Sequence, residues 1–404
     1  MRQKLPKGTH SMIRDINKNS VLNIIREFGP ISRTDIALKL DSSIPTVMRA
    51  VDALLSDEMI TYTGVGASNG GRKPPLLEIN PLGGYVFGAH IGSFLEIVLS
   101  NLKADIIDSA SFPTGMSMEP EAVIGQISSV IDKMLIKNNI PESKVFGVGI
   151  GTPGVNFRTN TKIGASVFKG WDNINLEELV KKYIRFKTFT ENVSYTAMLR
   201  EYWFGKTKGY DDIIYLWIDK GIGGGIILNG EPYKGINMKA GELGHISVEY
   251  EGNECYCGNK GCIETYASIP AITEKVKAYI RDGFESSLAE IQSGDADISF
   301  EDICREAENG DNLSANVIKD AGRRLGTVIA NLANIFDPEL VVLSGGAIKH
   351  SPLLFETSRT EALERVFSYR DISKKLEIVN ANTEIANSLG CVALVFQSVF
   401  THGE

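Results

Sequence analysis

From Tyr85 onward the sequence predicts an α/β body, and ahead of it a separate small helical module. Three observations carry that expectation. Strand-like apolar runs such as YVFGAHIG, KVFGVGIG, DIIYLWIDKG and ELVVLSGG alternate with helical stretches, the pattern of α/β architecture. The first eighty residues lack that alternation and read as three short helices followed by two strands. One segment, His245-x9-Cys255-x-Cys257-x4-Cys262, gathers four nitrogen and sulfur ligands in eighteen residues. At 404 residues the chain is too long for one ordinary core.

The first helix is expected over about Asn17 to Glu27, with Val21, Leu22, Ile24 and Ile25 on its apolar side. Gly29-Pro30 stops it, because proline cannot continue a helix. Ser32 is a natural N-cap for the second helix, with Asp35 at the third position. Ser43 caps the third, where Pro45 fits the first turn. Val47, Val51 and Leu54 repeat at helical spacing and face the core, leaving Thr46, Arg49 and Ala50 outward. Met59–Tyr62 and Leu76–Ile79 read as strands around GVGASNGGRKPP, a turn-rich basic loop. Helix, turn, helix and hairpin together make a winged helix-turn-helix. Its second helix lies in the DNA major groove with its first residues at base edges. Candidate DNA contacts are Arg33, Ser43, Thr46 and Arg49 from the helices, and Arg72 and Lys73 from the wing, which suit phosphates or a narrow minor groove. Residues 1–80 carry 11 Lys/Arg against 8 Asp/Glu, and the remainder 31 against 42. A mildly basic head on an acidic body fits a DNA-binding module carrying a larger non-DNA one.

In the body, strand-ending glycines are expected to allow tight turns and close approach of a ligand to the backbone. Helices are expected over Pro120–Lys137, Leu176–Tyr183, Pro270–Asp282, Leu313–Asp337 and Glu384–Val399. GVGIGTPG and GIGGG lack the spacing of a dinucleotide fingerprint, and no GxxxxGK[ST] loop is present. The ligand set His245, Cys255, Cys257 and Cys262 matches a tetrahedral structural zinc site, with no coordination position left open. In a reducing cytosol such clustered cysteines point to metal rather than to disulfides. No apolar run long enough for a membrane helix and no signal-peptide stretch is seen, so a cytoplasmic location is expected. Glu242 and Glu264 flank the ligands without being needed for the metal, and are expected to hold something polar beside it.

AGELGH-x9-CYCGNKGCIE resembles the hallmark of the ROK family (repressors, open reading frames and sugar kinases). ISRTDIALKL, PTVMRAVDALLSDEMI and GGRKPPLLEIN resemble the DNA-binding half of its repressor branch, which includes the xylose and N-acetylglucosamine repressors. GIGTPGV, IDKGIGGGII and VVLSGGAI follow in the family order. The resemblance implies two actin/hexokinase-type (ribonuclease H-like) lobes of sugar-kinase fold around a cleft. The expected domains are residues 1–80 for the winged helix-turn-helix, 81–192 for the first lobe, completed by the C-terminal helix within 384–404, and 193–383 for the second lobe with the zinc segment. It further implies a monosaccharide held by Asn192, Glu242, His245 and Glu264, with the Gly151–Gly154 loop, including Pro153, packing against it. Carboxylates and an amide suit hydroxyls that both donate and accept.

Two departures separate a sensor from an enzyme. Kinases of the family have a D-x-G-G-T-like turn after the first strand; here it reads His90-Ile91-Gly92-Ser93-Phe94. They also use the Asp of an Asn-Asp pair as general base, and here Val193 stands at that position. Valine cannot accept a proton. The expected function is therefore a catalytically inactive, sugar-responsive repressor of carbohydrate-utilisation genes. Its partners are an operator duplex and a monosaccharide, xylose being the first candidate, and it assembles as a homodimer or homotetramer. The competing expectations are an active sugar kinase with a DNA-binding appendage, and a metal sensor.

Overall fold

The chain folds from its N-terminus into α1 (His10–Phe28), which begins seven residues before the expected Asn17. The computed structural model describes residues 10–66, 73–114, 119–154, 170–171, 174–293, 297–367, 376–381 and 386–401. Val21, Leu22 and Ile25 of α1 are buried, and Pro30 follows two residues after its end. β1 (Ile31–Ser32) leads directly into α2 (Arg33–Lys39). There Ser32 Oγ accepts from Asp35 N at 3.2 Å and donates to the Asp35 carboxylate at 2.6 Å, satisfying an amide the helix leaves open. α3 (Ile44–Ser56) starts at Ser43, whose side chain accepts from Thr46 N, with proline in the first turn. Val47, Val51 and Leu54 are at most 1% exposed. Ala50 is buried too, at 7%, which corrects the expectation that it faces outward. It lies three residues after Val47 and four before Leu54, so it shares their stripe. β2 (Ile60–Val65) and β3 (Pro75–Ile79) complete an antiparallel sheet of order β1-β3-β2.

Next comes a five-stranded sheet of order β6-β5-β4-β7-β8, built from β4 (Tyr85–Ile91), β5 (Phe94–Asn101), β6 (Ile106–Pro113), β7 (Val145–Thr152) and β8 (Thr188–Asn192). β4, β5 and β6 pair antiparallel, while β7 and β8 add on parallel. α4 (Pro120–Lys137) and α5 (Leu176–Tyr183) have the predicted limits. Ile124, Ile127 and Ile131 of α4 share a buried cluster with Phe87, Ile97, Val148 and Ile150.

A second five-stranded sheet has order β11-β10-β9-β12-β13. The chain enters it through α6 (Val193–Phe204), then β9 (Ile213–Ile218), β10 (Ile222–Leu228) and β11 (Glu231–Pro232). After the cysteine segment come α7 (Glu264–Ala267), α8 (Ile269–Arg281), α9 (Ala289–Ser293), α10 (Phe300–Asn309) and α11 (Asn312–Phe336). β12 (Leu340–Ser344), α12 (Gly346–His350), α13 (Pro352–Arg365) and β13 (Glu377–Asn380) follow. Its core joins Leu216, Ile218 and Val341 to Ile318, Leu325 and Ile329 of α11.

Finally α14 (Asn387–Phe396) continues as a π-turn, Gln397–Thr401, and returns to the first sheet. Residues 384 and 385, where this helix was expected to begin, lie outside the described residues. The chain forms two compact units. One combines Met1–Asn156, Thr161–Thr196 and Ala386–Glu404, so the N-terminal module and the first sheet belong together; the other is chiefly Ala197–Ile385. Within the first unit, Lys103 pairs with Glu78 at 2.7 Å and Lys144 with Glu58 at 2.9 Å.

Two mid-strand glycines of the first unit face a helix. Gly88 and Gly149 lie against the backbone of α14: an added Cβ would sit 2.2 Å from Ser388 O and 1.8 Å from Cys391 O. They admit a helix onto the face opposite α4, since side chains alternate across a strand.

Candidate functional site

His245 ends a short 3-10 turn, Leu243–His245. The cysteines follow in a segment whose only ladder contacts are the isolated bridges Ser247↔Cys262 and Glu254↔Lys260. The chain reverses around the sulfurs by backbone bonds, with Gly258 N donating to Cys255 O and Cys255 N to Asn259 O, both at 2.9 Å. Gly261 has φ +71°, and an added Cβ there would lie 1.8 Å from Glu249 O. Only glycine fits, and that closure brings Cys262 back to Cys257.

The four candidate ligand atoms all lie within 4.8 Å of one another. Cys257 Sγ is 3.7 Å from Cys262 Sγ, and His245 Nδ1 is 3.6 Å from Cys255 Sγ. A tetrahedral ion with zinc–sulfur bonds of about 2.3 Å separates its sulfurs by about 3.8 Å. The donor set and these two separations therefore fit a tetrahedral metal ion. Cys255 and Cys262 are buried and Cys257 is exposed.

His245 presents Nδ1 to the sulfurs, which leaves Nε2 pointing elsewhere, 3.4 Å from Tyr256 Oη. The two rings meet edge-on at 5.4 Å. Tyr256, inside the Cys-Tyr-Cys tripeptide, was not singled out from sequence. Its only signal there was its place between two ligands.

Glu242 and Glu264 sit in the same unit. Burial pushes the Glu242 carboxyl above its ordinary value; the His245 ring opposes this and the Glu264 carboxylate adds to it. Glu264, at the start of α7, accepts from Ile222 N at 2.6 Å through Oε2. Gly221, one residue earlier, lets that carboxylate approach, since an added Cβ would lie 2.7 Å from it.

The remaining predicted sugar contacts are in the first unit. Asn192 is the last residue of β8, and its Oδ1 accepts from Ser194 N at 2.7 Å, so it caps the helix that Val193 begins. Gly151 and Pro153 are buried. An added Cβ at Gly151 would meet Cys391 Sγ at 3.0 Å and Thr196 Oγ1 at 3.1 Å. In the turn after β4, Gly92 and Ser93 make the reversal. Phe94, expected within it, is the first residue of β5 and is 53% exposed.

In the N-terminal module, Arg33 donates to Asp52 and to Tyr62 Oη, both at 2.8 Å. It thereby ties α2 to α3 and β2. Ser43 and Thr46 share a hydroxyl contact at 2.8 Å. Arg49 is exposed and its Nε donates to Pro45 O at 3.3 Å. Lys73 is exposed; Arg72 lies outside the described residues.

The comparisons agree with this architecture. A xylose repressor of Caldicellulosiruptor bescii is 29% identical over 398 residues, covering 98% of this chain and 99% of the relative. The DNA-binding transcriptional dual regulator NagC of Escherichia coli is 27% identical, covering 96% and 94%. A crystal structure of a ROK family transcriptional regulator, a homologue of the E. coli Mlc protein, superposes with a TM-score of 0.80 at 27% identity, covering 96% of this chain and 97% of that one. The pattern of the ROK family itself matches residues 88–398, the greater part of the chain, and the chain therefore belongs to the ROK family.

Proposed function

We propose that this chain is a sugar-responsive transcriptional repressor that does not phosphorylate its sugar. The observation that carries the reading is the extent of the similarity to repressors, which runs through the N-terminal module as well as the α/β body. In that module α2 and α3 act as a helix-turn-helix and the β2–β3 hairpin as a wing. Arg49 and Lys73 offer exposed cations, and Arg33 braces α3 through Asp52. Ser43 caps α3 and Thr46 stands beside it in the first turn, and Arg72 joins the wing contacts. Two copies bind paired half-sites, as a homodimer or homotetramer.

Sugar hydroxyls are met in the second unit by the carboxylates of Glu242 and Glu264 and by His245. In the first unit we assign them Asn192, with the Gly151 and Pro153 backbone. His245 can serve metal and sugar together, because Nδ1 faces the thiolates and Nε2 does not. The metal is zinc, held by His245, Cys255, Cys257 and Cys262 in a structural role, and such thiolates persist in a reducing, cytoplasmic setting. Among the described residues no helix is long and apolar enough to cross a membrane. Val193 opens α6 with an isopropyl group, where a general base would be worth about 10²–10⁴-fold in rate.

A thermal-shift panel of monosaccharides, with and without Mg-ATP, tests the reading, followed by ADP-release and DNA-binding titrations on any hit. Stabilisation grows as RT ln(1 + [L]/Kd), so weak binders show at high concentration. The expected result is one sugar, xylose first, that raises the melting temperature, releases no ADP and changes operator affinity. Sugar-dependent ADP release would make the chain a kinase. DNA affinity indifferent to every sugar would remove ligand control.

A further inference from the structure

The first turn of α3 has a chemistry that the motif alone did not disclose. Its hydroxyls are engaged with each other: Ser43 Oγ accepts from Thr46 N at 3.4 Å and sits 2.8 Å from Thr46 Oγ1. The core stripe takes Val47, Ala50, Val51 and Leu54. What remains outward is mostly apolar. Ile44 is 50% exposed, Met48 is 42% exposed, and Pro45 is exposed between them in sequence. Ile44 and Met48 are four residues apart, so they stand on one face. Arg49 lies beside them, and the carboxylate of Asp52 farther along is neutralised by Arg33.

A solvated helix does not need two large apolar side chains and a proline at its exposed start. In a helix-turn-helix these positions face base edges. The apolar feature that base edges offer in the major groove is the C5-methyl group of thymine, and a guanidinium pairs there with guanine. Arg49 makes the same face attractive to DNA rather than to an apolar protein surface.

We infer that Ile44 and Met48 are specificity-determining residues that read thymine methyl groups in the operator half-site, with Pro45 packing alongside and Arg49 supplying the charged base contact. The inference rests on the DNA-binding role of the N-terminal module proposed above and assigns its base chemistry.

The test uses the full-length protein and a duplex selected by it from a random library. Each thymidine of that duplex is replaced singly by deoxyuridine, which keeps the hydrogen-bonding edge and removes only the methyl. The wild-type protein is expected to lose about fourfold in affinity at each contacted position, the worth of one buried methyl-sized group. Ile44→Ala and Met48→Ala should each bind more weakly, keep the wild-type melting temperature, and become indifferent to deoxyuridine at one position while still sensing the other. Lys73→Ala, a phosphate-type contact, should weaken all duplexes alike and leave the deoxyuridine effect intact. Equal wild-type affinity for every thymidine and deoxyuridine duplex overturns the inference. So do alanine variants that alter oligomeric mass in sedimentation yet keep full deoxyuridine discrimination, since the face would then be a protein contact. Failure to select any duplex sinks the DNA-binding role itself, and this inference with it.

Discussion

Gly149 has no room for a methyl group. Its missing Cβ points at backbone, 1.8 Å from Cys391 O and 2.6 Å from Cys391 C, and backbone in a docked helix cannot swing aside as a flexible side chain would. Gly125, inside α4, is the opposite case: the nearest atoms to its added Cβ are ring carbons of Tyr183 at 3.8 Å. Gly149→Ala should cost about 3 kcal/mol or more by overpacking, whereas Gly125→Ala should stabilise by about 0.5–1 kcal/mol through helix propensity. Urea unfolding of the two variants measures both. Equal effects would mean that α14 does not lie on the glycine face. The same residues mark what a sequence can disclose. The cluster that could hold a metal ion was legible because its four side chains stand close together in the chain. The role of Gly149 was not, since the helix that presses on it comes some 240 residues later. Read locally, a glycine-ended strand looks like a place for a ligand. Ala50 was misplaced for a smaller reason: a small apolar residue at the edge of a helical stripe weighs little in a pattern until the packing is seen.

Among the elements, α4 and α5 were legible to the residue because each has one buried face and one charged face. α6 was missed. It is buried along residues 196–201, on all sides, and so carries no stripe. β1 has two residues, and β6, IIDSASFP, is an edge strand with no buried residue; neither offers a run of buried alternation. α10 shows how an element's start controls its stability. Ser299 and Asp302 form a full capping box, and the hydroxyl and backbone N–H of Ser299, followed by Arg305, hold the Asp302 carboxyl below its ordinary value of 3.8. A carboxyl lowered on folding adds stability that is complete above its unfolded value and disappears as pH falls through the folded one. Thermal melts between pH 6 and pH 3 should therefore show a shallower acid decline for Asp302→Asn than for wild type, starting from a slightly lower melting temperature at pH 6. An identical acid slope would show that the box does not titrate with folding.

For the whole molecule, the question is whether a metal held by the His245, Cys255, Cys257 and Cys262 cluster would be a strut or a signal. The segment from Ser247 to Cys262 has no helix and only two isolated bridges, and its path is held by turn-type backbone bonds and by Asn253, which donates to Tyr266 Oη and Thr265 O. Yet Cys262 and Ile263 are fully buried in the second unit, and Ile263 and Ala267 belong to its main apolar cluster. The segment is therefore an irregular loop tied into a core, an arrangement in which a tetrahedral crosslink does folding work. Glu242, His245 and Glu264 lie on or next to that loop, whereas the core of the N-terminal module draws on none of it. Chelation, or Cys262→Ser, should accordingly lower the melting temperature and abolish any sugar-induced shift, while the module keeps measurable affinity for DNA. Restoring zinc should recover sugar binding only as fast as the second unit refolds. Circular dichroism, a sugar thermal shift and a DNA titration on one chelated sample separate the alternatives. Release of DNA with unchanged secondary structure, reversed at once by zinc, would instead make the metal itself the effector. Loss of structure together with loss of sugar response, and retention of DNA, would place the metal beneath the sugar response as its support.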